Sequence, residues 1–201
     1  MMLTNLLAKR SVIFVFCCLL ALYGAWYFIS PLYKSPQTQL QSATIIKPNK
    51  NISNFNLQDY DGKTFNDQSL RGHWTLLFFG YVGCPDICPA TLADVKQIWQ
   101  MYNPKPVPLR FVFASIDPLP VDNTTLKSFL QNYDPSFIGI SGAPTAMQKL
   151  SSQLGVYANV HDQIIDHTAT LMLINPQGNL YAVFTPPFDT QKIFSDLQIL
   201  L

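Results

Sequence analysis

Apolar positions in this chain fall into two kinds of run, one long at the N-terminus and several short ones spaced along the remainder. Residues 12–29 carry no charged side chain and follow Lys9 and Arg10. At the α-helical rise they span about 27 Å, close to the thickness of bilayer hydrocarbon. The pattern predicts a transmembrane helix whose positive flank stays in the cytoplasm, so the remainder faces the other side. A cleaved signal peptide is the competing reading. The stretch is long for one, and Tyr23 between Ala21 and Ala25 spoils a small-residue cleavage pattern. Nothing before Val12 has the Arg/Ser-rich character of an organelle transit peptide. The expected setting is therefore a single-pass bacterial inner-membrane protein with its C-terminal domain in the periplasm.

Four segments follow: 1–11 as a cytoplasmic N-terminus, 12–29 as the anchor, 30–51 as a linker and 52–201 as one folded domain. The linker reading rests on Pro31, Pro36 and Pro48 among Ser, Gln, Thr and Asn, a semi-extended composition. Within 52–201 the periodicity switches repeatedly. Residues 55–57 and 64–65 flank Asp61-Gly62 as a short hairpin. Residues 74–79 and 109–116 are continuous apolar runs, as strands covered on both faces require. Residues 90–102 place Leu92, Val95, Ile98, Trp99 and Tyr102 on one helical stripe. Helices are also predicted at 124–133, 145–154 and 191–200. Further strands are predicted at 137–141, 170–174 and 181–184, the last two joined by Asn175-Pro176-Gln177-Gly178. This alternation predicts an α/β domain with a central mixed sheet.

A chain of 201 residues, 48% hydrophobic, suits one packed domain. Its net charge of +1, with no Lys/Arg run beyond Lys9-Arg10, excludes an electrostatic nucleic-acid surface. Cys17 and Cys18 read as apolar residues of the anchor. Only Cys84 and Cys88 remain for the exported part, in an oxidising compartment, where a plain structural disulfide is one reading.

The position of that pair suggests more. Cys84 follows the first central strand and Cys88, four residues on, lies in or just before the first helical turn, so both sulfurs can converge on one point. Pro85 and Pro89 suit a helix start. The helix dipole and unpaired N–H groups favour thiolate. Such a pair can hold a soft metal, exchange with another disulfide, or close on itself. A third group would decide. His73 lies at the far end of the strand, roughly 20 Å away. His161 sits in a polar stretch that reads as solvated loop. His167 directly precedes the strand at 170–174, and in thioredoxin-like architecture that segment lies against the cysteines. It is the candidate third ligand. Asp86 and Asp117 are candidates to tune the site from outside the ligand set. Their plainer readings are helix cap and turn-former before Pro118. No convincing fourth protein ligand, which structural zinc would want, is evident.

Phe78-Phe79-Gly80-Tyr81-Val82-Gly83-Cys84-Pro85-Asp86-Ile87-Cys88-Pro89, then Ser115-Ile116-Asp117-Pro118, then Asp166-His167-Thr168-Ala169 resembles the Sco/SenC family of membrane-anchored copper proteins. The motifs keep the family's order and approximate spacing, over about residues 52–201. The resemblance implies a thioredoxin-like fold, with copper, as Cu(I) or Cu(II), bound by Cys84, Cys88 and His167. It implies a metallochaperone that delivers copper to apo cytochrome c oxidase, reduces the receiving cysteines of its dinuclear copper site, or both. An upstream copper donor and a thiol reductant are the implied partners, with another cuproprotein as an alternative acceptor. A periplasmic thiol-disulfide oxidoreductase without copper delivery is the alternative function. This chain departs from the family at Gly83, where His or Phe is common. It departs again at Leu119-Pro120-Val121-Asp122, where an Arg-Asp pair is usual. Neither change removes a ligand, and both bear on recognition of the acceptor.

Overall fold

The computed structural model describes residues 18–20, 23–27, 39–102, 109–117, 121–156, 159–161, 164–166 and 169–201, with the backbone alone for 159–161 and 164–166. The chain divides into two compact units, Met1–Gln39 and Leu40–Leu201. Of the predicted span 12–29, residues 18–20 and 23–27 are described, and both pieces are helical. No described helix is long and apolar enough to cross a membrane.

The second unit contains ten strands and four helices among its described residues. The strands are β1 (Ala43–Asn51), β2 (Asn56–Asp59), β3 (Thr64–Asn66), β4 (Trp74–Gly80), β5 (Leu109–Ser115), β6 (Ile138–Ser141), β7 (Asn159–His161), β8 (Ile164–Asp166), β9 (Leu171–Ile174) and β10 (Asn179–Phe184). The helices are α1 (Ile87–Met101), α2 (Asn123–Gln131), α3 (Pro144–Gln153) and α4 (Thr190–Leu200). Eight strands form one sheet in the order β1-β10-β9-β4-β5-β6-β2-β3, while β7 and β8 pair separately. β4, β5 and β6 run parallel; β9, β10, β1, β2 and β3 are joined by antiparallel pairings. This is the mixed α/β sheet that the sequence predicts.

Strand alternation sends each central strand's side chains to two separate cores. Leu76, Phe78, Phe111 and Phe113 pack with Leu92, Val95 and Ile98 of α1, Leu126 and Leu130 of α2, and Ile193 and Leu197 of α4. Leu77, Phe79, Val112 and Ala114 face the opposite way, against Met147 and Leu150 of α3. Each fully buried Phe or Leu contributes about 1.5–3 kcal/mol relative to exposure. The β4-α1-β5 unit at the middle of the sheet is therefore held from both sides. The loop at its carboxyl end carries the cysteines.

Two elements correct the sequence reading. β1 lies inside the predicted linker 30–51, so the folded domain begins before residue 52. Thr44, Lys47, Asn49 and Lys50 disguise an edge strand, where polar side chains face water on the outer side. Its register shifts between Ile45 and Lys50, around Pro48, which has no N–H to give to a ladder. The start of β1 is held by Asp196 of α4, a carboxylate buried to 0% exposure. Asp196 accepts the N–H of Gln41 at 2.9 and 3.1 Å, of Ser42 at 2.8 Å and of Ala43 at 2.7 Å. The second correction is His161, predicted in a loop but placed at the end of β7.

Candidate metal centre

Three features at the carboxyl end of β4 build the site. The first is the turn out of the strand, where the N–H of Cys84 donates to the carbonyl of Tyr81 at 3.2 Å. The second is the head of α1, whose N-cap residue is Asp86. The third is the end of β5, where Asp117 reaches across to the loop.

An α-helix opens with backbone N–H groups that lack partners in the preceding turn. An N-cap side chain ordinarily accepts from one of them. The Asp86 carboxylate makes no such bond. Instead the N–H of Cys88 donates to the sulfur of Cys84 at 3.3 Å. Pro89, the next position, has no N–H, and that of Ala90 reaches the carbonyl of Asp86 at 3.1 Å. The sulfur of Cys84 thus stands in the capping position. The helix begins at Ile87, three residues before the stripe predicted from residue 90.

The two thiols sit at different depths. Cys84 is 9% exposed and Cys88 is 0% exposed, and both belong to the core cluster beneath α1. No disulfide joins them. Burial pushes the Cys84 thiol up. Hydrogen bonds from the N–H and thiol of Cys88, the N–H of Asp86 and the side chain of Tyr81 outweigh it, leaving Cys84 below the ordinary cysteine range. Cys88 is pushed the other way, to about 12. Burial is the main cause, joined by its bond to Cys84 and by the negative charges of Cys84 and Asp117. The pair therefore offers an outer sulfur disposed to ionise and an inner one that holds its proton.

Asp117 is a brace for the loop. Its carboxylate accepts the N–H of Val82 at 3.1 Å from each oxygen and the hydroxyl of Ser115 at 2.6 Å. This tethers the turn before Cys84 to the end of β5 and keeps a negative charge near Cys88. The turn-former reading of Asp117 omitted this bridge, because Val82 is remote from it in sequence. Gly80, at the end of β4, is a residue that the sequence analysis did not single out. A Cβ there would come within 3.0 Å of the Cys88 sulfur.

Of the predicted ligands, Cys84 and Cys88 are brought together. His167 lies outside the described residues, as do Pro118 and Thr168 of the quoted motifs. Among the described residues no group of three or more His, Cys, Asp or Glu side chains is placed to hold a metal ion. His73 precedes β4 at the opposite end of the sheet, its ring nitrogen 3.2 Å from the carbonyl oxygen of Arg71. The described donor set is thus two soft sulfurs, one favouring thiolate, which suits a soft ion such as Cu(I). Around them Ile87 is exposed at 51%, beside exposed Gly83, Pro85 and Asp86.

The family model described as SCO1/SenC matches residues 43–201. An SCO2-like protein of Rickettsia conorii is 31% identical over 163 residues, covering 77% of this chain and 80% of that protein. The structure of Bradyrhizobium japonicum ScoI with copper bound is similar at 32% identity and TM-score 0.66, covering 75% of this chain and 99% of that one. The solution structure of apo Sco1 from Thermus thermophilus is similar at 28% identity and TM-score 0.71, covering 83% and 100%. The match begins at Ala43, the first residue of β1.

Proposed function

The chain belongs to the SCO1/SenC family, and from that membership and the paired sulfurs at the head of α1 we propose that it is a membrane-anchored copper-binding assembly factor. Its anchor is residues 12–29, and its folded domain faces the periplasm of a bacterium. Copper is held by Cys84, Cys88 and His167. The domain delivers it to the dinuclear copper site of cytochrome c oxidase. Its upstream partner is a copper donor.

The observation that carries this reading is the contact between Cys84 and Cys88. Two sulfurs at one helix head suit Cu(I), and an added imidazole makes Cu(II) acceptable as well. A set of three protein ligands also leaves the ion a position open to attack by an acceptor's thiolate. The relatives are consistent with it: the similar Bradyrhizobium japonicum structure has copper bound.

A second reading is favoured by the asymmetry of the thiols. Cys84 is held below the ordinary range and Cys88 far above it. That suits reduction of an acceptor's disulfide. The Cys84 thiolate attacks one acceptor sulfur and releases the other as a thiolate. Cys88 gives that thiolate its proton and attacks Cys84, freeing the second acceptor sulfur, which takes a proton from solvent. The chain is left as the Cys84–Cys88 disulfide, and a thiol reductant must reopen it. The two readings are compatible in one protein.

Loading the reduced domain with Cu(I) beside a competing chelator, then adding an apo copper-site fragment of the oxidase, tests the proposal. The expected result is about one copper per chain, followed by its transfer to the fragment. Failure to bind copper rejects the proposal. Disulfide reduction in the fragment without copper uptake leaves the second reading alone.

A further inference from the structure

We propose that Gly80 is a positioning residue for the inner thiol: its missing side chain is the space that lets the Cys88 sulfur sit against the end of β4. The inference rests on the reading of Cys84 and Cys88 as the working pair. Gly80 is not needed for its backbone, since its φ is outside the left-handed region that Gly62, Gly72, Gly155 and Gly178 occupy. It is needed for room. A Cβ at position 80 would lie 2.7 Å from Cε2 and 3.0 Å from Cζ of Phe113, and 3.0 Å from the sulfur of Cys88.

The backbone of Gly80 is not free to retreat. It pairs with Ser115 in the parallel β4–β5 register, and its carbonyl accepts the N–H of Ile116 at 2.8 Å. Phe113 is fully buried, between the rings of Phe78 and Phe129 at 6.0 and 5.8 Å. A close-packed ring of that kind yields little. Cys88 is a short side chain in the first turn of α1, next to an exposed loop. The ring contact at 2.7 Å has to be relieved whatever the thiol does, and the thiol, at 3.0 Å and on a shorter side chain, has to give as well. Gly80 therefore sets how deep Cys88 lies, and so how well it is shielded while Cys84 reacts.

The experiment is alkylation of the reduced, metal-free protein by iodoacetamide at a fixed pH, with each cysteine followed by peptide mass. In G80A the rate at Cys88 should rise roughly tenfold or more as access opens, while the rate at Cys84 changes less. Gly139→Ala is the control. Its Cβ would meet Leu126 and Leu130 at 2.7 Å in the same core, so it reports a packing clash alone. Should G80A not fold, the comparison is made in Phe113→Leu, which removes the ring atoms but keeps the sulfur contact. The proposal is overturned if Cys88 in G80A, or in G80A/F113L against F113L, reacts at the parent rate. An equal rise in G139A overturns it as well. Alkylation needs no copper, so loss of the copper reading and loss of this one are separate results.

Discussion

The N–H of Cys88 points at the sulfur of Cys84 across 3.3 Å, so one cysteine caps the helix that carries the other. The bond ties the local fold to the chemistry. It satisfies a donor that the helix leaves unpaired, and it stabilises charge on the outer sulfur.

Removing the cap should cost more than changing its chemistry. Cys84→Ala is expected to lower stability by about 1 kcal/mol relative to Cys84→Ser, whose hydroxyl can still accept from the helix head. Urea unfolding of the two reduced variants measures it. Equal midpoints and slopes would show that an acceptor side chain at position 84 contributes nothing as a cap.

The thiols should titrate on opposite sides of the ordinary value. Cys84 lies below 9.0, so its contribution to folding is present above that value and is lost as pH falls through its own lowered pKa. Cys88 is raised from 9.0 to about 12, so its contribution is present below 9.0 and lost as pH climbs toward 12. The reduced protein should lose more stability over that alkaline window than Cys88→Ser does. Alkylation should strike Cys84 first at neutral pH. Asp117→Asn, which removes a negative charge near Cys88, should bring its reaction to lower pH. First attack at Cys88 would contradict the assignment of outer and inner thiols.

Asp196 should prove a larger anchor than its single charge suggests. Asp196→Asn puts a donor among three backbone N–H groups and is expected to cost about 2–3 kcal/mol. Hydrogen exchange should quicken at Gln41, Ser42 and Ala43, the residues it holds. Unchanged exchange there would show that β1 is fixed by its pairing with β10 alone.

The sequence was readable where the cause is local. Trp74–Gly80 and Leu109–Ser115 are almost wholly buried, and a strand covered on both faces has to be written as an uninterrupted apolar run. The stripe through Leu92, Val95 and Ile98 is fixed by helical period, and the spacing of Cys84 and Cys88 is about one turn. What escaped depends on distant partners. β1 looks like a tether until Asp196, on the last helix, closes on it. Gly80 looks like an ordinary strand end until Cys88 folds back against it. The role of Asp117 depends on the N–H of Val82 across the strand ends. The capping of α1 depends on the sulfur of Cys84, since the Asp86 carboxylate makes no cap bond.

The proposed function stands on Cys84, Cys88 and His167 holding one copper ion together. Its sharpest test adds Cu(II) to the reduced protein and to His167→Ala, Cys84→Ser and Cys88→Ser, and records stoichiometry, retention against a chelator and the visible absorption. One copper per chain with a sulfur-to-copper charge-transfer band is expected for the parent. The band should be lost or strongly altered in either serine variant. Retention should fall by at least about tenfold in His167→Ala, whose fold stays intact. An unaltered band and unaltered retention in His167→Ala would contradict the three-ligand site.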